Sequence, residues 1–228
     1  MSDKFLIPSS IILAGLLIGG GFLLSKDKNT KISPQEALVA SKNIREISDT
    51  DHLLGSPRAR IILVEYSDTE CPYCKDFHQT LRALMSEYGS EGKLAWIYRH
   101  FPIAELHSKA PKEAEALECA GELGGNSKFW EYTNRIYEIT PANNGLKESE
   151  LGNIAKYVGL SSTKFNTCLA SGKFKNKVAA DVEDAISVGA EGTPYSVLLD
   201  TKTGDTYPLP AAQPYVDIKN IIDLILQS

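Results

Sequence analysis

No cluster of lysine and arginine occurs anywhere in these 228 residues. The formal charge is -5, and since residues 1–31 hold four lysines against two aspartates, the remainder carries -7. A surface of that sign does not grip phosphate, which needs grouped cations, so nucleic acid is excluded as a partner. Internal repeats and low-complexity tracts are also missing. Cysteine is confined to Cys71, Cys74, Cys119 and Cys168, and only the first two are closely spaced. A second zinc half-site therefore has no pair of thiols to build it. What remains is ordinary globular material, 43% hydrophobic and 23% charged. The length suits one sizeable domain with a tether and falls short of two comfortable domains.

Long charge-free apolar runs are equally scarce: there is one, Phe5 to Leu24, flanked by Lys4 and by Lys26, Asp27 and Lys28. Twenty residues at about 1.5 Å each cross the roughly 30 Å hydrocarbon core of a bilayer. No A-x-A-like site follows the run, which goes on through Phe22-Leu23-Leu24 after Gly19-Gly20-Gly21, so an uncleaved anchor is favoured over a cleaved signal peptide. No cysteine lies there to take a lipid. Lys26, Lys28 and Lys31 outnumber Lys4, a balance that points the following domain inward. A domain this long translocates largely regardless of such charges, and the cysteine chemistry places it outside. The expectation is a single-pass membrane protein, with residues 1–31 as anchor and spacer and residues 32–228 on the extracytoplasmic side.

Along that domain, Ser33-Pro34-Gln35-Glu36 reads as a capped helix start, running to about Asn43. Ile61 to Val64 is a buried strand bounded by turn residues. Cys71 to Tyr88 carries Phe77, Leu81, Leu84, Met85 and Tyr88 at helical spacing, and Leu94 to Tyr98 is a second strand. The pattern is helical from about Lys109 to Val188, with breaks near Gly124-Gly125, Pro141 to Gly145 and Gly159-Leu160. Tyr195 to Leu199 and Thr206-Tyr207 are strands joined through Lys202-Thr203-Gly204, and Pro214 to Leu226 is a closing amphipathic helix. The outer pieces make one small α/β sheet, and the helical block, about 108–189, is inserted between them.

Cys71-Pro72-Tyr73-Cys74 follows a strand and opens a helix. There the first thiol meets unpaired N–H groups and the positive end of the helix dipole, which favour the thiolate. The second thiol, one turn in, is placed to attack a mixed disulfide and release its partner. Pro72 suits the first helical turn, where its missing N–H is no loss. A zinc half-site is the bland alternative, disfavoured by the strand, the helix and the proline.

Together with Gly192-Thr193-Pro194 before a strand, these residues give a chain that resembles the DsbA-like thiol–disulfide oxidoreductases of the thioredoxin-fold superfamily, membrane-anchored bacterial type. The resemblance spans roughly Asp51 to Ile225. It rests on the run Val64 to Cys74, on Tyr98-Arg99-His100-Phe101-Pro102, Glu118-Cys119-Ala120-Gly121 and Lys128-Phe129-Trp130, and on Gly192-Thr193-Pro194 and Ala212-Gln213-Pro214-Tyr215. It implies an α/β thioredoxin-like fold with an inserted helical domain, preceded here by a transmembrane helix, and it implies that the membrane is the bacterial cytoplasmic one. It also implies a cis Pro194 facing the cysteines, with the Thr193 backbone free to pair with an extended substrate; a plain turn proline is the alternative. Glu65, six residues before Cys71, matches the buried acid that takes the proton of the second cysteine, or is an ordinary strand glutamate reaching solvent. Some members bridge the region of Cys119 and Cys168, which otherwise are two separate thiols. Asp68 and Glu70 read as solvated acids, and His100 and His107 as polar or structural groups more than proton shuttles.

The chemistry implied is exchange through a Cys71–Cys74 disulfide, with Pro194, Thr193 and Glu65 supporting it and with no cofactor or metal. Partners are exported cysteine-containing proteins, a membrane redox partner that recycles the pair, and the bilayer through residues 5–24. Cys71 is expected to be the exposed attacking thiol. Several oxidising relatives carry His where this chain has Tyr73, so an isomerase or reductase with the same site stays open. So does a tethered binding or metal-holding module. Cys-Pro-Tyr-Cys occurs in glutaredoxins as well, which are smaller and lack both insertion and anchor.

Overall fold

The computed structural model describes residues 44–228. The predicted span over residues 5–24 and the helix from Ser33 to about Asn43 lie outside them. Among the described residues no helix is long and apolar enough to cross a membrane.

Two strands buried along their whole length form the centre: β2 (Ile61–Ser67) and β3 (Leu94–His100), paired in parallel. Burial on both faces explains why β2 reads as an unbroken apolar run instead of an alternating one. Ile61 and Leu63 enter one core, while Ile62, Val64 and Tyr66 enter the other. Glu65 falls on the side of Ile61 and Leu63 by the two-residue period of a strand. β4 (Tyr195–Asp200) lies antiparallel to β2, and β5 (Thr206–Pro210) pairs with β4 at the edge. The opposite edge is β1 (His52–Gly55), antiparallel to β3, giving the order β1-β3-β2-β4-β5. β1 is not visible in the sequence pattern. Four residues, three of them half-buried, are too short for any period to show.

Helix α1 (Pro72–Leu84) packs Cys74, Phe77, His78, Leu81 and Leu84 inward at helical spacing. A π-helical turn, Met85–Gly89, prolongs it and brings Tyr88 to Asp223 of α6 (Tyr215–Gln227), a 2.6 Å hydrogen bond. Four helices stand between β3 and β4: α2 (Ala110–Ile139), α3 (Ser149–Tyr157), α4 (Ser162–Ser171) and α5 (Lys175–Ser187). The break expected near Gly124-Gly125 is a kink inside α2, where Gly125 takes φ 74° and ψ -176°, open only to glycine without strain. The separation of α4 from α5 at Gly172 was not anticipated. α5 closes the second core through Ala185, and Arg99 locks it there. The buried Arg99 guanidinium donates to both oxygens of Asp51, at 2.8 and 2.9 Å, and to Asp184 of α5 at 2.6 Å.

A disulfide joins Cys119 of α2 to Cys168 of α4, with a Cα–Cα distance of 5.9 Å. Cys71 and Cys74 are free thiols.

Candidate active site

β2 ends at Ser67, and the chain turns through Asp68, Thr69 and Glu70 so that Cys71 caps α1 in an extended conformation. The turn is held by Cys71 N donating to the Asp68 carbonyl at 3.2 Å, and the helix starts with Lys75 N donating to the Cys71 carbonyl at 3.1 Å. Pro72 occupies the first turn. Thr193–Pro194 is a cis peptide, and its loop faces the cysteines: Cys71 Sγ donates to the Thr193 carbonyl at 3.5 Å. That contact corrects one expectation. Cys71 is only 5% exposed, covered by the 192–194 loop, whereas Tyr73 stands 67% exposed beside it. Cys71 is merely the less buried of the two thiols.

The two thiols titrate far apart. Cys71 is lowered to about 6, chiefly by the hydrogen bond from the Cys74 thiol, against the opposing effect of burial. The N–H groups of Cys74 and Tyr73 in the first helical turn add to it, as a helix N-terminus does. Cys74 is pushed well above the ordinary thiol value by burial and then by Cys71 itself. At neutral pH the pair holds one thiolate, on Cys71.

Beneath Cys74 lies a buried polar chain that starts at Glu65. Burial raises the Glu65 carboxyl to about 7, with Ser67 and the Trp96 hydrogen bond pulling the other way. Trp96 Nε1 donates to Glu65 Oε2 at 3.0 Å, and Oε1 has no partner. Glu65 thus does not reach solvent. Ser67, two residues on and on the same face, lies near both Glu65 and Cys74 and opposes the upward shift of each. Its hydroxyl further meets Tyr137 OH at 2.8 Å, and Tyr137 OH meets Tyr98 OH at 3.0 Å. Ser67 was missed in the sequence, although its place two residues after Glu65 on one strand was the available signal.

The acids before Cys71 are also not as expected. Asp68 and Glu70 are buried, because the segments 101–107 and 140–146 fold over them. Asp68 Oδ2 accepts from Ile103 N at 2.8 Å and meets His107 Nδ1 at 2.9 Å. Glu70 accepts from Asn143 N on its carbonyl at 2.8 Å and from Leu146 N on Oε1 at 3.3 Å. His100 is remote in role: its Nε2 meets Glu118 Oε1 at 2.9 Å, and His52 takes the other oxygen at 3.0 Å. His100, Glu118 and Asp181 have the spacing of a cation site. Lys177 Nζ fills that charge position, 2.6 Å from Asp181 and 3.9 Å from Glu118.

A family model described as Thioredoxin matches residues 47–222. The chain belongs to the thioredoxin family. Within that family it groups with the DsbA-like thiol–disulfide oxidoreductases. Its fold matches that of Pseudomonas aeruginosa DsbA2 with a TM-score of 0.66 and 26% identity, covering 79% of this chain and 97% of that one. A Rickettsia typhi protein named as a protein-disulfide oxidoreductase is 26% identical over 159 residues, 64% of this thioredoxin-family chain and 53% of the relative. The Na(+)/H(+) antiporter NhaA 1 of Salinispora arenicola is 32% identical over 147 residues, 64% of this chain but 21% of the antiporter. The chain thus spans about a fifth of the antiporter's length.

Proposed function

We propose that the chain is an extracytoplasmic oxidant of cysteine pairs in exported proteins, working through a Cys71–Cys74 disulfide. The observation that carries this reading is the unequal pair itself, a Cys71 thiol lowered to about 6 beside a Cys74 thiol pushed well above its ordinary value. A leaving thiolate stabilised at Cys71 makes the reduced form more stable and the disulfide more oxidising. In the reaction, a substrate thiolate attacks Cys71 Sγ and the Cys71–Cys74 bond breaks, leaving its electron pair on Cys74. Glu65, raised to about 7, is about half protonated at neutral pH, and the protonated form supplies a proton to Cys74 by way of the neighbouring Ser67 hydroxyl. A second substrate thiolate attacks the substrate sulfur bound to Cys71, closing the substrate disulfide and releasing Cys71 as thiolate. The Thr193 carbonyl and Pro194, over Cys71, offer the backbone edge on which an extended substrate lies. The names of the Rickettsia and Pseudomonas relatives agree with this chemistry. We place the chain at the bacterial cytoplasmic membrane, anchored through residues 5–24, with a membrane redox partner restoring the disulfide. An oxidising compartment suits the Cys119–Cys168 bridge.

Equilibration of the full chain with glutathione tests the direction. The Cys71–Cys74 couple should be more oxidising than thioredoxin at about -270 mV. A potential at or below that value rejects the oxidant reading in favour of a reductase.

The proton route has its own test. Glu65→Gln removes the donor and Ser67→Ala removes the link, so each should slow opening of the disulfide by a model dithiol at pH 7, by on the order of 10²-fold. Thiol trapping of the reduced pair measures the rate. An unaltered rate in Ser67→Ala would take the serine out of the route.

A further inference from the structure

A buried pair of acids, Glu113 and Glu70, lies against the turn that leads into Cys71, and the reaction above does not use it. Glu113, in the first turn of α2, accepts from the Thr69 hydroxyl at 2.6 Å and lies against the carboxyl of Glu70. Both glutamates are buried, and Glu70 Oε2 has no hydrogen-bond partner. Two ionised carboxylates in contact, with an orphaned acceptor between them, would be costly. One proton resolves both problems: a neutral Glu113 donates its O–H to Glu70 Oε2. We propose that Glu113 and Glu70 share this proton as a latch, fixing the turn that carries Cys71 to the inserted helical block. The two glutamates are positioning residues, and the proposal rests on the reading of Cys71 as the attacking thiol.

The latch has a defined geometry. The turn Asp68 to Glu70 is held from α2 by Glu113, and from segment 140–146 by Asn143 N and Leu146 N. That segment is itself pinned by Lys109 Nζ, which donates to the carbonyls of Asn144 and Leu146, each at 2.6 Å. The charged and titratable groups around Glu113 do not supply a counter-charge. Asp68 adds to the repulsion and is engaged by His107, and Tyr132 is neutral and buried. Lys109 and Lys112 line a cavity of about 180 Å3 together with Glu113 and Glu148, but their ammonium groups are turned to carbonyl oxygens. The same cavity gives the latch proton a way to solvent. Burial first, and then Glu70, raise the Glu113 carboxyl to about 8, while the Thr69 hydroxyl opposes the shift. A carboxyl raised in this way favours the folded state below its unfolded value, and that contribution is lost as pH rises through the folded one.

Alkylation of Cys71 by iodoacetamide, in the reduced full chain, tests the latch without requiring any oxidase activity. The rate should rise as the thiolate forms and then climb in a second step centred near pH 8. That step follows from the second negative charge and the loosened turn. A rise of one unit in the Cys71 pKa alone gives about a threefold gain in nucleophilicity. Glu113→Gln, which keeps a neutral donor at every pH, should show the first step only. Thr69→Val withdraws the hydrogen bond that favours the Glu113 carboxylate, so it should move the second step to higher pH. Superposable single-step curves in the wild type and Glu113→Gln overturn the latch. If Glu113→Gln does not fold, a second step unmoved by Thr69→Val overturns it. A low reduction potential would sink the oxidant reading and leave this outcome readable.

Discussion

Cys74→Ser will accumulate mixed disulfides with substrate proteins through Cys71, whereas Cys71→Ser will trap almost none, and neither will turn over. The asymmetry follows from where the two sulfurs sit. Cys71 caps α1, within reach of its first-turn N–H groups, and holds its charge at neutral pH. Cys74 is sealed inside the helix over Ser67 and keeps its proton, so a Cys71→Ser chain offers no thiolate to an incoming disulfide. Removing Cys74 leaves the covalent intermediate with no internal thiol to resolve it, and escape then depends on an outside thiol. The loss in steady-state exchange should be at least of the order seen when a positioned nucleophile or acid–base group is deleted, about 10²–10⁴-fold. Non-reducing electrophoresis after acid quenching reads the adducts. Equal trapping by both variants would show that the pair has no fixed attacking member.

How much of this was legible in the sequence depends on the range of each interaction. Cys71, Pro72 and Cys74 are contiguous, and strand, turn and helix follow from the residues on either side, so the unequal thiols were foreseeable. Pro194 lies far along the chain, but its Gly192-Thr193 lead-in and the strand after it mark the place. Glu65 was open between core and solvent because a single glutamate in an apolar strand satisfies either reading. The deciding facts are tertiary: Trp96 across the β2–β3 pair donates to it, and α1 covers it. Asp68 and Glu70 were misread for the same reason. Charged residues in a turn are ordinarily solvated, and nothing local announces that segments 101–107 and 140–146 will cover them. Glu113 was invisible, one acid among several at the start of a long helix. β5 runs further than expected, through Pro208 and Pro210, which an edge strand tolerates because one side of its ladder is unpaired.

Breaking the Cys119–Cys168 bridge with the double substitution Cys119→Ala, Cys168→Ala should lower the unfolding free energy by about 4 kcal/mol. The figure comes from the unfolded chain. The bridge closes a loop across a sequence separation of 49 residues, and its removal returns that loop's freedom to the denatured ensemble. The native side changes less, because α2 and α4 remain joined by other contacts. Tyr132 and Phe165 stack at 5.4 Å between ring centroids, and Lys112 Nζ donates to the Leu169 carbonyl at 2.5 Å. Chemical denaturation of the double variant and the wild type, with Cys71 and Cys74 in one redox state throughout, measures the difference. A loss under about 1 kcal/mol would mean that the unfolded chain is already compact over this region. Cys71 should react with iodoacetamide at the wild-type rate in the same variant, since the bridge joins α2 to α4 within the inserted block, and the groups that set the Cys71 titration are Cys74, Thr193 and Tyr73. The two cysteine pairs would then divide their roles, one turning over and one joining α2 to α4.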